Sequence, residues 1–144
     1  MEVIVVYDSF FGNTEEVAES IAGGIRSGRG VETARTSDIT PDMLNGLEYL
    51  IVGSPTRQFR PTGGVREFIS AIPRHGLSGI RVAAFDTRID MDDQASGFLR
   101  FMVRIFGYAA GSISAKLRKK GGTVAALPEG FIVDGTEGPL REGE

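Results

Sequence analysis

The chain opens on an apolar, β-branched run, Val3-Ile4-Val5-Val6-Tyr7, and then its hydrophobic period changes. Val17, Ala18, Ile21, Ala22 and Ile25 recur at helical spacing, which predicts a helix over residues 14–26. The same alternation continues. Strand-like runs fall at 31–36, 49–53, 81–86 and 123–127, with 131–133 as a short sixth candidate. Helical patterns fall at 65–72 and in a long stretch ending near Lys120, and a short turn of helix is expected at 41–44. Pro41 after Thr40 marks a helix start and Gly46 closes it. Gly121-Gly122 ends the last helix beside Lys119 and Lys120, whose charges suit a helix C-terminus. Near-continuous apolar strands joined through helices predict an α/β architecture, with a parallel sheet covered on both faces. No repeat or linker interrupts the pattern, so residues 1–144 are expected to form one domain.

Composition narrows the chemistry. With 41% hydrophobic residues the chain can build a real core, and a net charge of −3 argues against nucleic acid as a partner. There is no cysteine and one histidine, His75, in the turn-like Pro73-Arg74-His75-Gly76. Thiolate catalysis and cysteine or histidine-cluster metal sites are therefore not expected. The N-terminus begins on a strand, and no apolar run reaches membrane-spanning length; a cytoplasmic protein without membrane insertion is expected.

In an open parallel sheet, ligands bind beyond the carboxyl ends of the strands, where strand order reverses. Three loops occupy that position: 9–14, 54–64 and 86–94. The first runs Ser9-Phe10-Phe11-Gly12-Asn13-Thr14 straight into the predicted helix. Its backbone N–H groups, with hydroxyls at Ser9 and Thr14 and the amide of Asn13, can converge on a phosphate. No lysine or arginine lies between Met1 and Ile25, which argues against a Walker-type loop and suits a single terminal phosphate held by neutral donors. The same residues also serve an ordinary strand–turn–helix with Thr14 as N-cap.

These residues resemble a flavodoxin. That family's phosphate loop reads approximately Ser/Thr-x-Thr-Gly-Asn-Thr, and residues 9–14 match it except at Phe11, where a hydroxyl is lost. Gly53-Ser54-Pro55-Thr56 resembles the second flavin loop, and Phe85-Asp86-Thr87-Arg88 stands where the third belongs. The resemblance covers essentially the whole chain and is to the short-chain type. It implies a three-layer flavodoxin-like sandwich around a five-stranded parallel sheet of order 2-1-3-4-5. Its final helix would be missing or truncated, since Pro139 and its acidic neighbours look like a first turn.

The resemblance further implies noncovalent FMN. Ser9, Phe10, Phe11, Gly12, Asn13 and Thr14 would form the phosphate loop. Pro55, Thr56, Arg57, Gln58 and Phe59 would line one face of the isoalloxazine, and Asp86, Thr87 and Arg88 its pyrimidine edge or opposite face. The aromatic pattern departs from the family: the chain has no tryptophan, Arg57 stands where the first stacking aromatic belongs, and no tyrosine follows in the third loop. Arg57 is expected to stack its guanidinium plane on the ring, or Phe59 to take that role. Gln58 stands where the family often has glycine. Arg57, Arg60 and Arg88 would raise the flavin potential, while Asp86, Asp90, Asp92 and Asp93 would oppose them.

The function implied is an FMN-binding electron-transfer protein, meeting redox partner proteins weakly and transiently through its acidic surface. A carrier is preferred over a substrate-transforming enzyme. The alternatives are a flavin-dependent oxidoreductase acting on a quinone or porphyrinogen-like substrate, and a flavodoxin-fold module whose flavin site stays empty. Phe98, Leu99, Phe101, Met102, Ile105 and Phe106 fall at helical spacing and predict an additional apolar helix. Its exposure would favour a substrate, a partner or a homodimer through 98–106.

Overall fold

The computed structural model describes residues 2–9, 12–25, 30–56, 61–89, 109–126 and 128–133. Strand β1 (Val3–Tyr7) is buried along its whole length, as a strand covered on both faces must be. It leads into helix α1 (Asn13–Ile25) and then β2 (Val31–Arg35). Two 3₁₀ turns, Thr36–Asp38 and Pro41–Leu44, carry the chain to β3 (Tyr49–Pro55). Helix α2 (Gly63–Ala71), β4 (Arg81–Ile89), α3 (Ala109–Lys119), β5 (Thr123–Val124) and β6 (Glu129–Val133) follow. The sheet is parallel throughout, ordered β2-β1-β3-β4-β5, with β6 also paired to β4. This is the flavodoxin-like α/β order expected from the sequence.

The predicted sixth strand is not a new position in the sheet. Arg81 and Val82 of β4 pair with Thr123 and Val124, whereas Phe85 to Ile89 pair with Glu129 to Val133. Only Ala83 and Ala84 separate the two pairings on β4, against residues 125–128 on the other side. β5 and β6 are thus halves of one edge strand, split by an insertion of two residues.

Alternation along the strands divides the core. Ile4, Val6, Leu50, Val52, Val82 and Ala84 face one way, against Val65, Phe68 and Ile69 of α2 and Ala109, Ala110, Ile113 and Leu117 of α3. Val5, Tyr7 and Phe85 face the other, against Val17, Ala18 and Ala22 of α1, with Ile51 and Phe131 partly buried beside them. Phe131 meets Phe85 edge-on at 6.1 Å. Helix α2 begins two residues before the hydrophobic period does, because Thr62 caps it by accepting the Val65 N–H at 3.3 Å. Helix α3 ends where its glycines predict: Gly121 at φ +102° lets Gly122 N–H reach the Leu117 carbonyl and its own N–H reach that of Arg118. The apolar segment 98–106 and the expected final helix at the C-terminus lie outside the described residues; among those described, no helix follows β6. No helix among them is long and apolar enough to cross a membrane.

Candidate functional site

At the carboxyl ends of β1, β3 and β4 the core gives way to polar residues. Tyr7 pairs with Gly53, and Ser54 with Asp86. One step beyond the Val6–Val52–Ala84 layer, Asp8, Ser54 and Asp86 therefore form a polar row facing α2 and α3. Thr87 points the opposite way, toward α1. Each of these residues is then tied to a neighbouring loop.

Asp8 accepts the Ser9 N–H at 3.0 Å and the Thr62 hydroxyl at 2.6 Å. Thr62 also donates its N–H to Ser54 Oγ at 3.0 Å. The first loop is thereby joined to the second and to the start of α2. Gly12 sits at φ +89°, a left-handed conformation that a side chain would strain. Its N–H donates to Ser9 Oγ and its carbonyl accepts the Glu16 N–H, each at 3.0 Å. Gly12 is accordingly the N-cap of α1. Thr14 is not the cap: it lies inside the helix, 1% exposed, with Oγ1 2.9 Å from the hydroxyl of Thr87. That bond spans the first and third loops. The Thr56 N–H, donating to the Thr87 carbonyl at 2.9 Å, joins the second loop to the third.

Asp86 is fully buried. Its carboxylate accepts Arg88 Nε at 2.6 Å and Nη2 at 2.7 Å, the Ala110 N–H at 2.9 Å and the Thr56 hydroxyl. Thr56 Oγ1 in turn accepts the Ala109 N–H at 3.1 Å. Burial raises the Asp86 pKa above the ordinary carboxylate range, against the opposing pull of Arg88 and its other donors. Arg88 and Asp86 form a salt bridge, so the field of one charge is largely cancelled by the other. The two residues read from sequence as a flavin edge thus anchor the N-terminus of α3 to the end of β4.

The three loops expected to meet do meet. Ser9, Gly12, Asn13 and Thr14 cluster at the start of α1, and Pro55, Thr56, Asp86, Thr87 and Arg88 lie on the paired ends of β3 and β4. Phe10, Phe11, Arg57, Gln58 and Phe59 fall outside the described residues. Sequence reasoning missed Asp8, Thr62 and Arg35. A threonine directly before Gly63-Gly64-Val65 was a readable cap signal. Arg35 ends an alternating β2 and pairs with Tyr7, which carries its side chain to the face of α1. There its guanidinium donates to the Ser9 carbonyl at 3.1 Å and to Glu15 at 2.9 Å, and lies 5.4 Å from the Tyr7 ring centre. Burial, with Glu15 adding to it, raises the Tyr7 pKa.

The donor set suits a phosphate monoester. The Ser9 hydroxyl accepts from Gly12, which leaves its proton able to turn outward, and the positive end of the α1 dipole lies beside it. An open depression of about 500 Å³ nearby is lined by Gly12, Glu15, Glu16, Glu19 and Ser20, and its carboxylates have the wrong sign for that ligand.

No family model matches the chain. A flavodoxin from the domain Archaea has a similar structure, with a TM-score of 0.70, 28% identity, and coverage of 95% of this chain and 87% of that one. The flavodiiron protein of Giardia intestinalis matches 94% of this chain with 32% of its own length, at a TM-score of 0.73. At 21% identity, that second likeness speaks to the fold alone. Among curated proteins, an NAD(P)H dehydrogenase (quinone) of Syntrophobacter fumaroxidans (strain DSM 10017 / MPOB) is 28% identical over 108 residues. That match takes in 57% of this chain and 53% of the relative, so the chain spans about half of that protein's length.

Proposed function

We propose that this flavodoxin-like chain binds FMN noncovalently and works as an electron carrier between larger redox partners. The observation that carries the reading is the lacing of three strand-end loops over the N-terminus of α1. Thr14 to Thr87, Thr56 to Thr87 and Asp8 to Thr62 hold them as one unit. A rigid platform of this kind suits a ligand with a phosphate at one end and a flat ring at the other.

Ser9, Gly12, Asn13 and Thr14 hold the phosphate through backbone N–H groups and neutral side-chain donors. Pro55 and Thr56, with Arg57, Gln58 and Phe59, line one face of the ring; Thr87 and Arg88 border it on the other side. Asp86 works from behind, fixing Arg88 and the start of α3. When bound, FMN supplies reversible one-electron transfer at its ring. The chain orients that ring and shields it from water. Its net negative charge steers partners with basic faces into weak, salt-sensitive encounters.

The quinone dehydrogenase relative favours a second reading, a flavin-dependent oxidoreductase acting on a quinone. One titration comes first: FMN into freshly purified apo-chain, read by visible absorbance. Stoichiometric, tight binding supports both flavin readings, and NAD(P)H-dependent quinone reduction by the loaded protein then selects the second. A chain that ignores FMN overturns both.

A further inference from the structure

We infer that Arg35 is the cationic specificity residue of the phosphate subsite, setting the preference for phosphorylated over unphosphorylated flavin. The inference rests on the flavin reading above. From residue 1 to residue 25 the sequence has no lysine or arginine, so the first loop by itself offers a phosphate dianion only neutral side-chain donors. The fold brings a guanidinium to that loop from the neighbouring strand. In the parallel register Arg35 stands directly beside Tyr7, two residues before Ser9.

Three contacts fix its guanidinium. One edge donates to the Ser9 carbonyl at 3.1 Å, another to the Glu15 carboxylate at 2.9 Å, and the plane lies over the Tyr7 ring at 5.4 Å. A planar fork serves a ring face and two acceptors together in one fixed geometry. The consequences converge on one ligand. A carbonyl oxygen turned toward an anion repels it, and Arg35 holds that of Ser9 in a bond of its own. Glu15 stands in the first turn of α1, where its charge competes with any anion at the helix N-terminus, and Arg35 neutralises it. Both side chains are about two-fifths exposed, at 40% and 42%, so the effect is moderate and responds to salt.

The test titrates FMN and riboflavin separately into the full chain, its Arg35→Gln variant and its Glu15→Gln variant, following flavin fluorescence. Arg35→Gln is expected to weaken FMN by about tenfold and riboflavin by less than about twofold, with the FMN loss shrinking in ~1 M salt. Glu15→Gln is expected to tighten FMN by about threefold and leave riboflavin unchanged. This second variant decides the matter if Arg35→Gln does not fold. Equal losses for both flavins in Arg35→Gln, or no loss for either, overturn the inference, as does an unchanged FMN affinity in Glu15→Gln. A wild-type chain that binds neither flavin overturns the parent reading instead.

Discussion

Replacing Asp86 by asparagine removes one negative charge from the polar row and leaves the shape of the side chain almost intact. Asp86 is fully buried and accepts from Arg88 twice, from the Ala110 N–H and from the Thr56 hydroxyl. The new amide offers an NH₂ where one carboxylate oxygen was, so at least one donor among these faces another donor. Removing one partner of a buried ion pair typically costs about 3–5 kcal/mol. Two effects reduce that here. Arg88 keeps 21% of its side chain exposed and can turn to water. Asparagine also avoids the desolvation that raises the Asp86 pKa. A loss of about 2 kcal/mol remains, or roughly 4–8 °C in Tm for a chain of this size. Urea unfolding followed by far-UV circular dichroism measures it. In an Arg88→Met background the same substitution should cost at least ~1 kcal/mol less. A loss under about 0.5 kcal/mol, or a cost unchanged in the Arg88→Met background, would show that the Asp86–Arg88 pair does not hold β4 to α3.

Because the folded state raises the pKa of Asp86 above 3.8, the fold favours its protonated form. Its contribution to stability is full below the unfolded pKa and falls as pH rises through the folded one. Wild type should therefore gain on Asp86→Asn as the pH is lowered from 7 toward 4, and parallel stability curves would contradict this. Gly53→Ala drives a Cβ into the Phe85 ring at the centre of the sheet. It should lower stability by about 1–3 kcal/mol in urea unfolding, with much of the loss recovered by adding Phe85→Leu. Thr87→Val leaves the buried Thr14 hydroxyl without its partner and should cost about 1–2 kcal/mol. The double variant Thr14→Val, Thr87→Val should be more stable than Thr87→Val by the same urea unfolding assay.

Much of the fold was legible because hydrophobic period and glycine placement agree with it. The run at β1, the spacing in α1 and the paired glycines after α3 each carry their local structure in a few adjacent residues. What escaped was what depends on pairing between distant segments. The edge-strand split needs the register of β4, which no local pattern encodes, and so 131–133 read as a separate strand. Strands β3 and β4 run on through polar residues, to Pro55 and Ile89, because Ser54, Asp86 and Thr87 are satisfied by residues of the helices and caps that cover the sheet. The site was legible as three loops and as the residues at their tips. Asp8, Thr62 and Arg35, which brace those tips, lie 54 and 26 residues from the atoms they touch, at spacings that carry no periodic signal.

The split between β5 and β6 bears on how this molecule behaves in a crowded solution. A continuous outer strand presents an unbroken ladder of N–H and C=O groups on which a foreign strand can nucleate. Here the ladder lasts two residues, breaks, and resumes for five. Ala125 spends its N–H inward on the Val82 carbonyl at 2.9 Å, and Pro128 has no N–H to give. An incoming strand aligned with one half is out of step by two residues with the other. This border of the sheet is thereby a poorer template for strand addition than a continuous strand would be.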